Sequence, residues 1–341
     1  MTVTEKTDKT PTLDEIVLCL ERCMRRHFGQ RVSVANVKLA TLGGSNRTIL
    51  FDLVEGRSKR RLVSRQETYT LDPSPFLPPE TQFKLLRLAY EFELAVPEPI
   101  LEFEPSDQLG RGHVVAHVSG ETLPKRLLND EEFSAARKIF PQQAGEFLAA
   151  LHTIPAQRAD FLANIVDSID PLRAQIERYD YYGEPHPAIE FAFRWLDKNK
   201  PPTEHRTLIH GDFRVGNMLI DASGIKAVLD WECAHLGDPM ADLGWLMTPA
   251  WRFGHFDLPV GGVGHKEDLY QAYEAAGGQR VDEERVRWWQ IFGSLRWCIF
   301  NLMQVHGHRV GGRRSPAFAA CGRNAALIEY EMLQMIAGNL D

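Results

Sequence analysis

The sequence lacks what a membrane span, a disulfide framework or a nucleic-acid grip would need. No apolar stretch in its 341 residues approaches the roughly 18 residues that cross a bilayer. The opening MTVTEKTDKTPT has no apolar signal core, so residues 1–12 are expected to be disordered and the protein cytoplasmic. Cysteines number only five, at Cys19, Cys23, Cys233, Cys298 and Cys321, with no C-x-x-C pair. An odd, scattered set reads as free thiols in a reducing compartment. Lys and Arg (39) are outnumbered by Asp and Glu (46), for a formal net charge of -7; a dedicated nucleic-acid binder would show a basic stripe instead. Neither G-x-x-x-x-G-K-[ST] nor G-x-S-x-G occurs, which sets aside P-loop and α/β-hydrolase chemistry. His306 and His308 have no sequence partners at zinc-site spacing. No internal repeat is visible.

What is present is ordinary in bulk and specific in one stretch. Hydrophobic residues at 44% and charged residues at 25% describe a globular chain long enough for two domains. Between Leu208 and Leu243 the chain reads LIHGDFRVGNMLI, DASG, IKAVLDWECAHLGDPMADL. Apolar pairs flank a polar, glycine-containing loop, as when short strands bracket a catalytic loop. Asp221-Ala-Ser-Gly224 has hairpin-turn composition, and Asp230 closes the strand that follows. Asp212, Asn217 and Asp230 are thereby brought beside a short sheet.

Their types suit phosphoryl transfer, which asks the protein mainly for positioning and charge neutralisation. Magnesium takes hard oxygen ligands and keeps waters, so one amide (Asn217), one carboxylate (Asp230) and nucleotide phosphates suffice. Asp212, five residues before Asn217, aims a carboxylate at a substrate hydroxyl while the far end of the loop faces the metal. Arg214 brings a guanidinium to the transferred phosphate. The same D-x-x-x-x-N spacing precedes a separate metal-binding Asp in protein kinases.

Together, HGDFRVGN and LDWECAHLGDPMADLG resemble the aminoglycoside phosphotransferase and choline kinase family of protein-kinase-like enzymes, closest to the branch associated with acyl-CoA dehydrogenases. The resemblance implies an α+β, two-lobed fold: a small antiparallel-sheet lobe over residues 1–118 and a mainly helical lobe over 119–341. It also implies ATP and Mg2+ as cofactors and a small-molecule hydroxyl as acceptor.

Apolar residues at helical spacing over 13–28 predict a first helix, and alternation over 32–41, 48–54 and 61–66 predicts consecutive antiparallel strands. Gly43, Gly44, Ser45 and Asn46 between the first two strands would turn backbone N–H groups toward phosphates; a plain hairpin is the competing reading. Arg65 stands where the resemblance expects a phosphate-gripping lysine, the alternative being an exposed arginine of the basic hairpin Arg57, Lys59, Arg60 and Arg61. Its acidic partner is expected on the helix 79–90, from Glu80 or from Gln82, an amide that cannot form the usual ion pair. A strand over 112–118 leads into a junction that resembles the hinge between kinase lobes, where backbone groups from Ala116 to Val118 would read adenine; an ordinary strand end is the competing reading. Pro141 is expected to start or kink a helix within 130–152. Asp238-Pro239 reads as a helix start, and Asp242 resembles the family's supporting aspartate beneath the catalytic loop.

Three helices are expected at 266–275, 282–304 and 315–336. Trp288, Trp289, Phe292, Leu295 and Phe300 give the second an apolar face that is chiefly core. From Trp245 onward acidic and basic residues are equal in number, which disfavours a polycationic acceptor. Arg296, Arg309, Arg313 and Arg314 would attract an acidic one, such as a coenzyme A thioester, unless they are solvated surface charges. The reading that emerges is an ATP-dependent kinase of a small-molecule hydroxyl. A catalytically silent nucleotide-binding scaffold, or an aminoglycoside or choline-type kinase, is the alternative.

Overall fold

The computed structural model describes residues 12–40, 46–67, 74–202, 206–310 and 316–341. The chain divides into two compact units, one running to Tyr90 and resuming at Pro97–Val118, the other made of Glu91–Val96 and Ser119–Asp341.

In the first unit, helix α1 (Leu13–Phe28) begins where Thr12 caps it. Thr12 Oγ1 accepts from Glu15 N at 3.3 Å and Glu15 Oε2 accepts from Thr12 N at 2.7 Å, the reciprocal pair of a capping box. Thr12, expected to be disordered, is therefore fixed by this cap, whereas residues 1–11 lie outside the described residues. Strands β1 (Val32–Leu39), β2 (Asn46–Glu55), β3 (Ser58–Glu67), β4 (Pro99–Glu102) and β5 (Gly112–Ala116) form one antiparallel sheet in the order β1-β2-β3-β5-β4. Helix α2 (Pro79–Glu91) follows β3 in the chain. The period-2 pattern of β2 buries Ile49, Phe51 and Leu53 against Ile16, Leu20 and Met24 of α1, so one sheet face and one helix face make the core.

The second unit is mainly helical. Helices α3 (Pro124–Asn129), α4 (Ser134–His152), α5 (Val166–Ile169), α6 (Pro171–Tyr182) and α7 (Pro187–Lys198) precede two small sheets. Strand β6 (Thr207–Ile209) pairs with β9 (His235–Gly237), and β7 (Met218–Asp221) with β8 (Gly224–Val228). The strands flanking the polar loop thus pair with later segments and not with each other. Helices α8 (Met240–Leu246), α9 (Lys266–Ala275), α10 (Glu283–Arg309) and α11 (Pro316–Ala337) complete the unit. Pro141 lies inside α4: neighbouring turns carry the helix past the one N–H that proline cannot supply.

Small residues bring α8 against α10. A Cβ on Gly244 would stand 2.7 Å from Trp289 Cβ, and one on Gly293 would stand 2.7 Å from Thr248 Oγ1 and 3.2 Å from the Trp245 ring. Any larger residue would push the helices apart. All five cysteines are free thiols. No helix among the described residues is long and apolar enough to cross a membrane.

Candidate functional site

The loop between β6 and β7 carries the expected polar residues, and Asp242 of α8 shapes it from below. Asp242 Oδ2 accepts from His210 N and Oδ1 from Gly211 N, both at 2.8 Å. Its Oδ2 also meets His152 Nε2 at 3.2 Å, and His152 Nδ1 lies 2.9 Å from the Tyr273 hydroxyl. Burial alone would raise the Asp242 carboxyl, but the hydrogen bond and charge of His152, with His210, hold it below its ordinary value. Two loop amides and a histidine from α4 thus converge on one buried carboxylate.

Gly211 has no substitute at this bend. Its φ is +75°, and an added Cβ would lie 2.2 Å from Cys233 O, so both conformation and space demand glycine. His210 is buried and neutral. Its Nε2 donates to Leu229 O at 2.9 Å and its Nδ1 accepts from Asp212 N at 3.2 Å, which assigns the tautomer. Burial holds its pKa below the ordinary value although Asp242 and Asp212 pull it upward. His210 therefore staples the loop, and Asp212 is left to face outward chemistry.

The Asp212 carboxylate is heavily engaged. Oδ1 accepts from Arg214 Nε at 3.0 Å and from Trp245 Nε1 at 2.9 Å, while Oδ2 accepts from Asn217 Nδ2 at 2.5 Å. A carboxylate offers about four acceptor sites; these bonds leave one, on Oδ2, for an incoming hydroxyl. The Arg214 guanidinium lies over the Trp251 ring, 4.4 Å from its centroid, a cation–π contact that fixes its plane.

The hairpin register brings the backbone of Asp230 near that of Asn217. Met218 pairs with Val228, and Leu229 N donates to Asn217 O at 2.8 Å, which sets Asp230 beside Asn217. With Nδ2 donating to both Asp212 O (3.0 Å) and Asp212 Oδ2, the Asn217 Oδ1 faces away from Asp212. An amide oxygen and a carboxylate are the hard donors that magnesium prefers, so the residues fit that ion. Asp230 has φ 61° and ψ 65°, a left-handed conformation that aspartate tolerates better than most residues and that clusters at functional sites.

The remaining predicted residues fall as follows. Gly43, Gly44 and Ser45 lie outside the described residues; Asn46 opens β2 opposite Glu67. Arg65 is half-buried in β3, between Thr48 of β2 and His113 of β5, and is not one of the exposed hairpin arginines. Glu80 is bidentate to Arg111, at 2.8 and 2.7 Å, and the Gln82 amide donates to Leu77 O at 2.7 Å. Ala116 N and His117 N donate to Glu98 O and Arg61 O; Val118 N has no backbone partner among the described residues. Asp238 Oδ1 accepts from Met240 N at 3.0 Å and from Arg285 Nη2 at 2.6 Å, a structural role at the start of α8.

Two contributors escaped the sequence reading. Arg296, weighed there as a surface charge or an attractor of acidic substrate, is 7% exposed. It donates from Nη1 to Gly211 O at 2.6 Å, with the Trp245 and Phe300 rings each 5.0 Å away. Its signal was its place on the apolar face of α10, four residues from both Phe292 and Phe300. Trp245, the other, stands three residues after Asp242 and shares its face of α8.

Comparison with known proteins gives the family and the fold. The model of a family described as "Phosphotransferase enzyme family" matches residues 36–289. Acyl-CoA dehydrogenase family member 11 of Pongo abelii is 27% identical over 231 residues, covering 61% of this chain and 29% of that protein. The chain thus spans under a third of that relative's length. Among solved structures, a putative aminoglycoside phosphotransferase from Ralstonia eutropha JMP134 superposes with TM-score 0.70 at 21% identity, over 94% of this chain and 98% of that one. A spectinomycin phosphotransferase in complex with ADP and spectinomycin gives TM-score 0.61 at 14% identity, over 92% and 98%. At these identities the likeness establishes the fold, which is α+β and protein-kinase-like.

Proposed function

Because the chain belongs to the phosphotransferase enzyme family, we propose that it transfers the γ-phosphoryl group of ATP to a hydroxyl of a small molecule. The observation that carries this reading is the Asp212–Asn217 hydrogen bond with Asp230 placed beside Asn217 by the β7–β8 hairpin. Asp212 Oδ2 orients the acceptor hydroxyl and takes its proton as the oxygen attacks phosphorus. Arg214, held against Trp251, stabilises charge on the phosphoryl oxygens. Asn217 and Asp230 would hold a magnesium ion, which when bound would supply positive charge to the nucleotide phosphates. Arg65 and the loop at Gly43, Gly44, Ser45 and Asn46 hold the phosphates. The Ala116–Val118 segment reads adenine, with Val118 N as its donor, because the Ala116 and His117 amides are already engaged.

The acceptor is a hydroxyl compound without multiple positive charges. The acyl-CoA dehydrogenase relatives support a hydroxyacyl thioester, and the balanced charge of the C-terminal helices is consistent with it. The test is ADP release with ATP and magnesium over hydroxyacyl thioesters, choline, sugars and aminoglycosides. Asp230→Ala should abolish acceptor-dependent release at every magnesium concentration; full turnover of that variant at low magnesium would contradict the metal assignment. A second reading, nucleotide binding without turnover, is favoured by one observation: Glu80 is bidentate to Arg111 and Gln82 donates to Leu77 O. ATP binding with no acceptor-dependent release would support it.

A further inference from the structure

Asp212 and the peptide before it are held from two neighbouring helices. Gly211 O accepts from Arg296 Nη1 of α10 at 2.6 Å, and Asp212 Oδ1 accepts from Trp245 Nε1 of α8 at 2.9 Å. These two side chains also touch each other: the Arg296 guanidinium lies 5.0 Å from the Trp245 ring centroid and equally far from Phe300. Trp245 meets Trp251 at 5.3 Å, and Trp251 is the ring that carries Arg214. One indole therefore joins the carboxylate, the cation beneath it and the platform of the second cation.

We propose that Trp245 is a positioning residue for Asp212, with Arg296 as its support, so that the turnover of this site depends on the Trp245 indole N–H. The inference rests on the reading of Asp212 as the base. Three physical points carry it. The indole N–H donates to an ionised acceptor in a largely buried setting, where such a bond is stronger than in water. Trp245 is 4% exposed, and Gly293 makes room for its ring, so it has little freedom to turn away. Its bond and that of Arg214 occupy Oδ1 together, which turns Oδ2 toward the acceptor and fixes the carboxylate plane. Without the indole donor, Arg214 on Oδ1 and Asn217 on Oδ2 alone hold the carboxylate, and one of the three bonds that set its plane is lost.

The test is Trp245→Phe, which keeps an aromatic face for Arg296 and removes only the donor and the second ring. The expected result is a fall in kcat of roughly tenfold, the worth of a hydrogen bond to a charged group. KM for ATP should be unchanged and the melting temperature close to that of the parent. The decisive readout is the double variant. If Trp245 acts through Asp212, Trp245→Phe should have no further effect on the residual turnover of Asp212→Asn; a merely structural role would multiply the two losses. Wild-type kcat in Trp245→Phe, or multiplied losses in the double variant, overturns the proposal. Should Trp245→Phe not fold, benzothienylalanine at position 245, isosteric but without N–H, carries the same test. Asp212→Asn with full turnover would instead sink the assignment of the base, so the two failures are distinguishable.

Discussion

At the scale of single residues, the loop works because few alternatives fit. Gly211 combines φ +75° with a backbone carbonyl 2.2 Å from where a Cβ would sit. Gly211→Ala is expected to destabilise the second unit by at least about 2 kcal/mol, from left-handed strain plus overpacking, and to cost turnover beyond that. Urea unfolding checks the first and steady-state rates the second; a variant as stable and active as the parent would mean that the loop has another conformation. Part of this was legible in the sequence. Asp212, Asn217 and Asp230 announce themselves by type and spacing, and Asp242 by its place after GDP. Trp245 and Arg296 did not, because their roles arise from contacts across α8 and α10. A tryptophan on an apolar helix face reads as core until the partner of its N–H is known.

At the scale of elements, the close approach of α8 and α10 sets the distance from Trp245 to Asp212. Gly244→Ala should drive a methyl into Trp289 Cβ, 2.7 Å away, and cost about 1–3 kcal/mol as overpacking does. The same shift should lower kcat, since the indole moves with its helix. Denaturation midpoints and kcat measured together check this; a Gly244→Ala protein that is destabilised yet fully active would detach helix spacing from the site. Sequence periodicity located most of these elements. The alternation of Ile49, Phe51 and Leu53 matches the buried face of β2, whereas the Thr12 cap of α1 falls in a segment expected to be disordered. The three-residue β9 escaped notice because so short a strand exists only through its pairing with β6. Pro141 does not start a helix but lies inside α4, because the neighbouring turns carry the helix past one missing hydrogen bond.

At the scale of the whole molecule, buried neutral histidines tie stability to pH. Burial, helped by the nearby Arg65 charge, pushes His113 down to about 3, and burial holds His210 and His235 below their ordinary value as well. A histidine with a depressed folded pKa contributes stability that is complete above its unfolded value of 6.5 and is lost as pH falls, because the unfolded chain takes up protons first. Asp242, also depressed, adds a loss at lower pH. Stability should therefore decline below about pH 6.5, with His113 contributing up to roughly 1.4 kcal/mol per pH unit. Neither ring nitrogen of His113 has a hydrogen-bond partner, so His113→Phe leaves no orphaned donor. It should flatten the acid limb by one group's slope; an unchanged slope from pH 6 to 4 would show that His113 is not buried neutral.

The central claim is that Asp212 serves phosphoryl transfer, and the most direct measurement is acceptor-dependent ADP release by the parent and by Asp212→Asn across the panel of hydroxyl compounds. Release with at least one acceptor is expected, reduced by about 100-fold or more in the variant, with ATP binding retained. Equal release by both proteins would remove Asp212 from the chemistry and contradict the account.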